Sequence, residues 1–434
     1  MSPGYSGAAS GVRTGSFSGF VEEAASRGEL VVQPRMGFSD PRRMHAGLLA
    51  VKGASATTVG TITLDSYTRT GDLTAAGNAL ATGALLNGYP ITSHPLDVTR
   101  AMLDDAREGG FPVQVRHGSA APQGIFRALT ELRVDATEGG PVSYCLPYGA
   151  VPLRESIRNW KESCEIFAEL EHGGTSPHIE SFGGCMMGQL APPSLHVAIS
   201  VLEAMFFRQH GIPNVSLSYA QQTSLGQDMA GISALRRLAA DLLGDSGWHI
   251  VVYAYMGVFP RTAGGATLLG EAAVRLAVHG GAQRIIVKTT AEAARIPTIE
   301  ENVAALEHAG LVAATLDELE SPALGPESEA EVYAEAAALV YNVLDLRPDI
   351  GEALAVAFEK GHLDVPFCLH PDNKGLARSF IGPDGRLAWS DVGAMPLHGA
   401  ADTGSGHRMT SAELMSSLNY VAERFDKEFQ DCGP

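Results

Sequence analysis

Three arginines stand where apolar, strand-like runs end. Arg35 follows LVVQP (30–34), Arg69 follows TITLDSYT, and Arg116 closes FPVQV within FPVQVRHG (111–118). A guanidinium offers rigid, paired donors matched to carboxylate or phosphate, and three such cations at one place repel one another unless anions lie among them. They point to a substrate with two anionic groups, a small dicarboxylate. A single strand-end arginine is more often an ion-pair partner, so the weight rests on the three together. His117, beside Arg116, alternates to the other face of the strand unless the chain turns there, which leaves a supporting and a catalytic role both open. Glu138 follows in DATEGGPVSYCLPYG (135–149), ahead of Tyr144 and Tyr148. Facing arginines, its carboxylate either binds a substrate ammonium, which makes the ligand an amino dicarboxylic acid, or neutralises a guanidinium. The tyrosines can donate hydrogen bonds and exclude water. Cys145 has no adjoining histidine pattern and reads as a packed thiol. Further along, Met256, Phe259 and Pro260 form an apolar rim after HIVVYAYM, and Lys288, Glu292 and Ile296 recur at four-residue steps after RIIV. No metal-ligand spacing such as HExxH is present, so no metal site is expected.

These residues need elements to hold them. From Leu30 onward short β-branched runs alternate with longer stretches of helical periodicity, the pattern of parallel strands joined by crossover helices. Candidate strands are 30–34, 57–64, 90–94, 111–117, 134–139, 178–184, 214–220, 249–256 and 284–290. Helices are expected over 73–86, 151–170, 194–211, 228–244 and 266–281. Eight repeats close a (β/α)8 TIM barrel, so one of the nine runs is surplus, and an early one is expected to be. An open doubly wound sheet competes, but neither GxGxxG nor GxxxxGK[ST] occurs. The expected division is a lead-in and helix over 1–29, a barrel over 30–322, and a C-terminal α+β appendage over 323–434. That appendage contains helices in PESEAEVYAEAAALVYNVL and GEALAVAFEKG, and a hairpin turning at Pro383–Gly385. Its last helix carries Leu414, Leu418, Val421, Phe425 and Phe429 on one stripe, suited to docking on the body or on a second subunit.

Charged residues are only 18% of the chain, and 49 acids against 31 bases give a net charge of −18 with no basic stripe, so a nucleic-acid surface is not expected. Five cysteines without CxxC spacing suggest free thiols in a reducing compartment. Without a secretion signal or a long apolar run, the expected location is cytoplasmic, away from membranes. The first 15 or so residues read as a disordered lead-in of small residues.

LVVQPRMG, TVGTITLDSYTR, FPVQVRHG, DATEGGPVSYCLPYG, ESFGGCMMGQLAPPS, EAMFFRQHG, SLSYAQQT, YMGVFPRT, VKTTAEAARIPT and CLHPDNKG together resemble the E (epsilon) subunit family of adenosylcobalamin-dependent glutamate mutase, also called methylaspartate mutase. The resemblance runs from about residue 29 to beyond 375. It implies a TIM barrel that interconverts L-glutamate and L-threo-3-methylaspartate by radical rearrangement. By the same resemblance Arg35, Arg69, Arg116, His117, Glu138, Tyr144 and Tyr148 contact substrate, with Arg116, His117 and Glu138 at its centre. Gly37, Pro147, Phe259, Lys288, Glu292 and Ile296 contact adenosylcobalamin. Where the family has an asparagine after NGYP this chain reads Ile-Thr-Ser-His, which puts Ser93, beside Thr92, at that cofactor contact.

In such enzymes cobalt–carbon homolysis starts hydrogen abstraction from the substrate, which fragments to a glycyl radical and acrylate before recombining. The family's barrels form a homodimer and bind two cobalamin-binding S subunits, a heterotetramer. This chain lacks the DxHxxG signature that ligates cobalt, so a separate S subunit is expected. Two other readings share the same residues: a barrel lyase or aldolase acting on a dicarboxylate with a divalent metal, and a diverged barrel that only binds an amino acid.

Overall fold

The β-branched runs form short parallel strands, and the periodic stretches between them form the helices that cross back. The computed structural model describes residues 16–147, 149–183, 190–316, 326–397 and 409–431. The lead-in over 1–15, Tyr148, Cys185 and Cys432 lie outside the described residues. In chain order the first elements are α1 (Phe17–Ser26), β1 (Val31–Gln33), α2 (Pro41–Lys52), β2 (Gly60–Thr63), α3 (Ser66–Thr70), α4 (Leu73–Ala81), α5 (Leu96–Ala106) and β3 (Val113–Arg116). Then come α6 (Gln123–Glu131), β4 (Ala136–Gly139), α7 (Leu153–Ala168), β5 (His178–Ser181), α8 (Pro193–Gln209), β6 (Asn214–Ala220), α9 (Leu225–Leu243) and β7 (Trp248–Tyr253). The chain continues with α10 (Ala263–His279), β8 (Arg284–Ile286), α11 (Ile299–Thr315), α12 (Pro326–Leu344), α13 (Ile350–Lys360), β9 (Arg378–Ile381), β10 (Leu387–Asp391) and α14 (Ser411–Asp431).

Eight parallel strands run β1-β8-β7-β6-β5-β4-β3-β2. The ring closes between β1 and β2 through a parallel bridge of Val32 with Thr58, where the Val32 amide donates to the Thr57 carbonyl at 2.9 Å. The fold is thus a TIM barrel. The surplus run is PITSH: the Tyr89 amide donates to Thr63 O at 2.9 Å, and the chain then turns, with Ser93 N on Pro90 O at 2.9 Å. Pro90 has no N–H to continue a ladder. The helix expected over 73–86 stops at Ala81, and Gly83 follows with φ of 71°, a left-handed turn that suits glycine.

Inside, alternation stacks the side chains in layers. At the floor, Phe17, Val21 and Ala24 of α1 pack on Val31, Val59 and Ala136. Phe17 N donates to Asp135 Oδ2 at 2.8 Å, and the Ser18 hydroxyl lies 2.9 Å from His178 Nδ1. The middle layer is polar. Gln33 Nε2 donates to Thr61 Oγ1 at 2.8 Å and to Gln114 Oε1 at 2.7 Å, while Arg284 donates to Gln33 Oε1 and to Glu180 Oε2. Arg284 and Glu180 are both fully buried, so their charges depend on one another and on this girdle. The top layer is the mouth.

After α11, α12 packs on α8 and α9, and α13 packs on α7 and α8. β9 and β10 form the antiparallel hairpin, turning at Gly385 with φ of 80°. α14 packs on α10, where Val421 and Phe425 join Tyr255, Phe259 and Leu269. Leu414 and Leu418 are half-buried. Phe429, though exposed, lies over Gly264, where no Cβ would fit. Among the described residues no helix is long and apolar enough to cross a membrane.

Candidate active site at the barrel mouth

β3 ends at Arg116 and β4 carries Glu138 one residue before its end, and adjacency does the rest. Arg116 Nε donates to Glu138 Oε2 at 2.6 Å, with both side chains almost wholly buried. The Tyr144 hydroxyl donates to Glu138 Oε1. Tyr253, at the end of β7, places its hydroxyl 2.7 Å from Glu138 Oε2 and also against Glu180 Oε1, and it accepts from Arg116 Nη2 at 3.3 Å. Burial works against the Arg116 cation, but Glu138 and its neighbours outweigh it and hold the guanidinium well above its usual range. Glu138 thus neutralises Arg116. Both of its oxygens accept hydrogen bonds, Oε1 from Tyr144 and Oε2 from Arg116 and Tyr253.

Across the mouth Arg35, beyond β1, reaches Glu292 Oε2 at 3.5 Å, and Lys288, beyond β8, reaches the same oxygen at 3.7 Å. Lys288 also lies 5.0 Å from the centre of the Phe259 ring. Burial, with repulsion from Arg35 and Arg116, pushes the Lys288 ammonium down to about 8, although Glu292 pulls the other way. Arg69, in α3, crosses over Gly118: a Cβ there would lie 2.7 Å from Arg69 Cδ. The glycine of VRHG therefore gives Arg69 its passage toward the end of β3.

His117 takes the outer face. Its ring stacks on Trp160 at 5.6 Å and meets Phe126 and Tyr144 edge-on. Nδ1 accepts from Ser119 N at 3.2 Å, which leaves the proton on Nε2, and Nε2 has no hydrogen-bond partner among the described residues. Burial pushes its pKa down to about 3, so it is neutral at ordinary pH. Its ring supports Tyr144 by packing. Cys145 is fully buried, and its thiol is pushed up to about 12 by that burial.

The remaining expected contacts lie in segments that follow β1, β2, β4 and β8. Gly37 packs directly on Thr63 O, where an added Cβ would lie only 2.3 Å away. His94 Nε2 donates to Ser39 O at 2.8 Å, tying the 90–94 turn to the segment after β1. The hydroxyls of Thr92 and Ser93 are enclosed and lack a hydrogen-bond partner among the described residues. Pro147 is half-buried beyond β4, and Ile296 is exposed.

Sequence reading misses Tyr253, Glu180 and Arg284. All three lie inside runs read only as strands. The available signal was inward parity, Glu180 lying two residues from His178 and Tyr253 four from His249.

Fold and site together define a parallel (β/α)8 barrel whose C-terminal mouth carries arginines interleaved with carboxylates. The chain belongs to the methylaspartate mutase E chain (MutE) family, which matches residues 13–413. Among its relatives, the glutamate mutase epsilon subunit of Halobacterium salinarum is 30% identical over 346 residues, covering 77% of this chain and 71% of that one. Those of Desulfitobacterium hafniense and Escherichia coli O157:H7 are 29% identical over 402 residues and 28% over 396. These alignments cover 89% and 88% of this chain and 82% and 81% of the relatives, respectively.

Proposed function

We propose that this chain is the catalytic subunit of an adenosylcobalamin-dependent carbon-skeleton mutase that interconverts L-glutamate and L-threo-3-methylaspartate, acting with a separate cobalamin-binding S subunit in a heterotetramer. The observation that carries the reading is the convergence of Arg116, Glu138 and Tyr144, with Arg35 facing them across the mouth, in a member of this family. The arginines suit two carboxylates, and Glu138 suits the ammonium between them.

The residues around the opening fit the cofactor. Lys288, Glu292 and Phe259 offer a buried cation, a carboxylate and a ring face, while the partnerless hydroxyls of Thr92 and Ser93 await hydrogen bonds. With Gly37, Pro147 and Ile296 these residues would hold it. When bound, adenosylcobalamin supplies the radical that abstracts hydrogen from the substrate. The chain's own part is positional. Arg35, Arg69 and Arg116 hold both carboxylate-bearing halves of the substrate so that they recombine instead of escaping. Tyr144 and the closed barrel keep water away from reactive carbon centres.

Assembled with an S subunit and adenosylcobalamin, the chain is expected to give a substrate-triggered electron paramagnetic resonance signal on addition of L-glutamate, without added divalent metal. Absence of both signal and product would leave only an amino-acid-binding barrel.

A further inference from the structure

Two stretches that stand out in the sequence, EAMFFRQHG (203–211) and CLHPDNKG (368–375), place no charged group in the array around Arg116. Both reach instead for segment 140–153, which carries Tyr144. Glu203 lies on α8, fully buried, among the equally buried Val201, Leu202 and Ala204. Its Oε1 accepts from Val142 N at 3.1 Å and Ser143 N at 2.9 Å, and its Oε2 accepts from the Ser143 hydroxyl at 2.9 Å. Gly140 presses on the same carboxyl: an added Cβ would lie 2.0 Å from Oε1, so no side chain fits. The other end of the segment is held from the appendage. His370 Nδ1 accepts from Asp372 N at 3.1 Å, which leaves Nε2 to donate to Val151 O at 3.0 Å, and Leu153 N donates to Asp372 Oδ2 at 2.7 Å. Between these holds Tyr144 N donates to Gly140 O at 3.1 Å, and the Tyr144 hydroxyl meets Glu138.

We propose that Glu203 is a positioning residue that sets Tyr144 against Glu138, with His370 and Asp372 anchoring the far end of the same segment. The inference rests on the reading of Tyr144 and Glu138 as substrate contacts, and deepens it. A carboxyl enclosed by apolar side chains is tolerated only when its oxygens are hydrogen-bonded. Here three of the donors, Val142 N, Ser143 N and the Ser143 hydroxyl, come from the two residues immediately before Tyr144, and the Phe182 peptide N–H bonds the same carboxyl from after β5. They fix the direction from which the tyrosine enters the mouth. Removing the carboxyl leaves Val142 N and Ser143 N without acceptors where water does not reach, and the turn must rearrange.

The test uses the full chain labelled with 3-fluorotyrosine, the Tyr144 resonance being assigned by its loss in Tyr144→Phe. Glu203→Ala is expected to shift and broaden that resonance, and Glu203→Gln, which retains an oxygen for both N–H groups, to keep it near its original place. In the assembled mutase, Glu203→Ala and Tyr144→Phe should each raise KM for L-glutamate by about tenfold, and the double variant should be no worse than either single one. A folded Glu203→Ala that leaves the Tyr144 resonance in place, or effects that multiply in the double variant, overturns the proposal. An unchanged KM in Tyr144→Phe overturns instead the reading of Tyr144 as a substrate contact. Should Glu203→Ala not fold, Ser143→Ala removes the hydroxyl bond to Glu203 and must move the Tyr144 resonance; no movement overturns the proposal.

Discussion

Arg116 commits its Nε to Glu138 and one Nη to Tyr253, so the guanidinium is already oriented when a ligand carboxylate meets its other N–H groups. Lysine keeps the charge but has neither the Nε contact nor the paired donors. Arg116→Lys should therefore raise KM for L-glutamate by roughly 10–100-fold, while titration with adenosylcobalamin and S subunit shows nearly unchanged cofactor affinity. The reverse pattern would remove Arg116 from the substrate site. Lys288 gives a pH signature. Held at about 8 by burial and by Arg35 and Arg116, it loses its proton as pH rises through that value, and the mouth loses one positive charge. Affinity for an anionic ligand should fall above pH 8. In Glu292→Gln the fall should begin at lower pH, because the carboxylate no longer supports the ammonium; an identical profile would contradict the pairing. For the fold the sign is opposite. The unfolded chain keeps this proton up to about 10.5, so stability rises between pH 8 and 10.5. Arg35, Arg116 and Glu138 are legible in the sequence because each sits where an apolar run ends. Tyr253 is not: its partner Glu138 lies 115 residues away, and only barrel closure brings them together.

Among the elements, α1 has the least obvious role in sequence and a definite one in structure. It covers the N-terminal end of the barrel, with Phe17 fully buried and its ring 5.0 Å from the Arg284 guanidinium, which in turn holds Glu180 beneath the site. Phe17→Ala should destabilise the chain by about 3–5 kcal/mol, the usual cost of emptying a buried aromatic position, measured by urea unfolding. A loss below about 1 kcal/mol, the level typical of surface substitutions, would mean that α1 does not close the floor. Strands are legible as β-branched runs because parallel strands are buried on both faces. PITSH mimics one in composition, yet its leading proline makes it a turn, and that turn brings Thr92 and Ser93 to the rim. Hydrophobic periodicity has no means of showing that the barrel's middle layer is a polar girdle, since a single buried glutamine or glutamate on each of β1, β3 and β5 does not disturb an otherwise apolar pattern.

At the scale of the whole molecule, a chain of net charge −18 surrounds a mouth where Arg35, Arg69, Arg116 and Lys288 outnumber Glu138 and Glu292. Such a local excess of positive charge within an acidic body favours entry of small dianions. The C-terminal segment is tied to the site through His370 and Asp372, and α14 is tied to the rim through Phe425 and Phe259. In the proposed function, a glutamate held there rearranges to 3-methylaspartate. Mix the chain with an S subunit, adenosylcobalamin and L-glutamate in the dark, and follow the amino acids by proton NMR. The methyl doublet of 3-methylaspartate is predicted to grow at the expense of glutamate, and adding 3-methylaspartate first should regenerate glutamate. A spectrum in which glutamate persists unchanged, with the S subunit and cofactor shown to be bound, would contradict it.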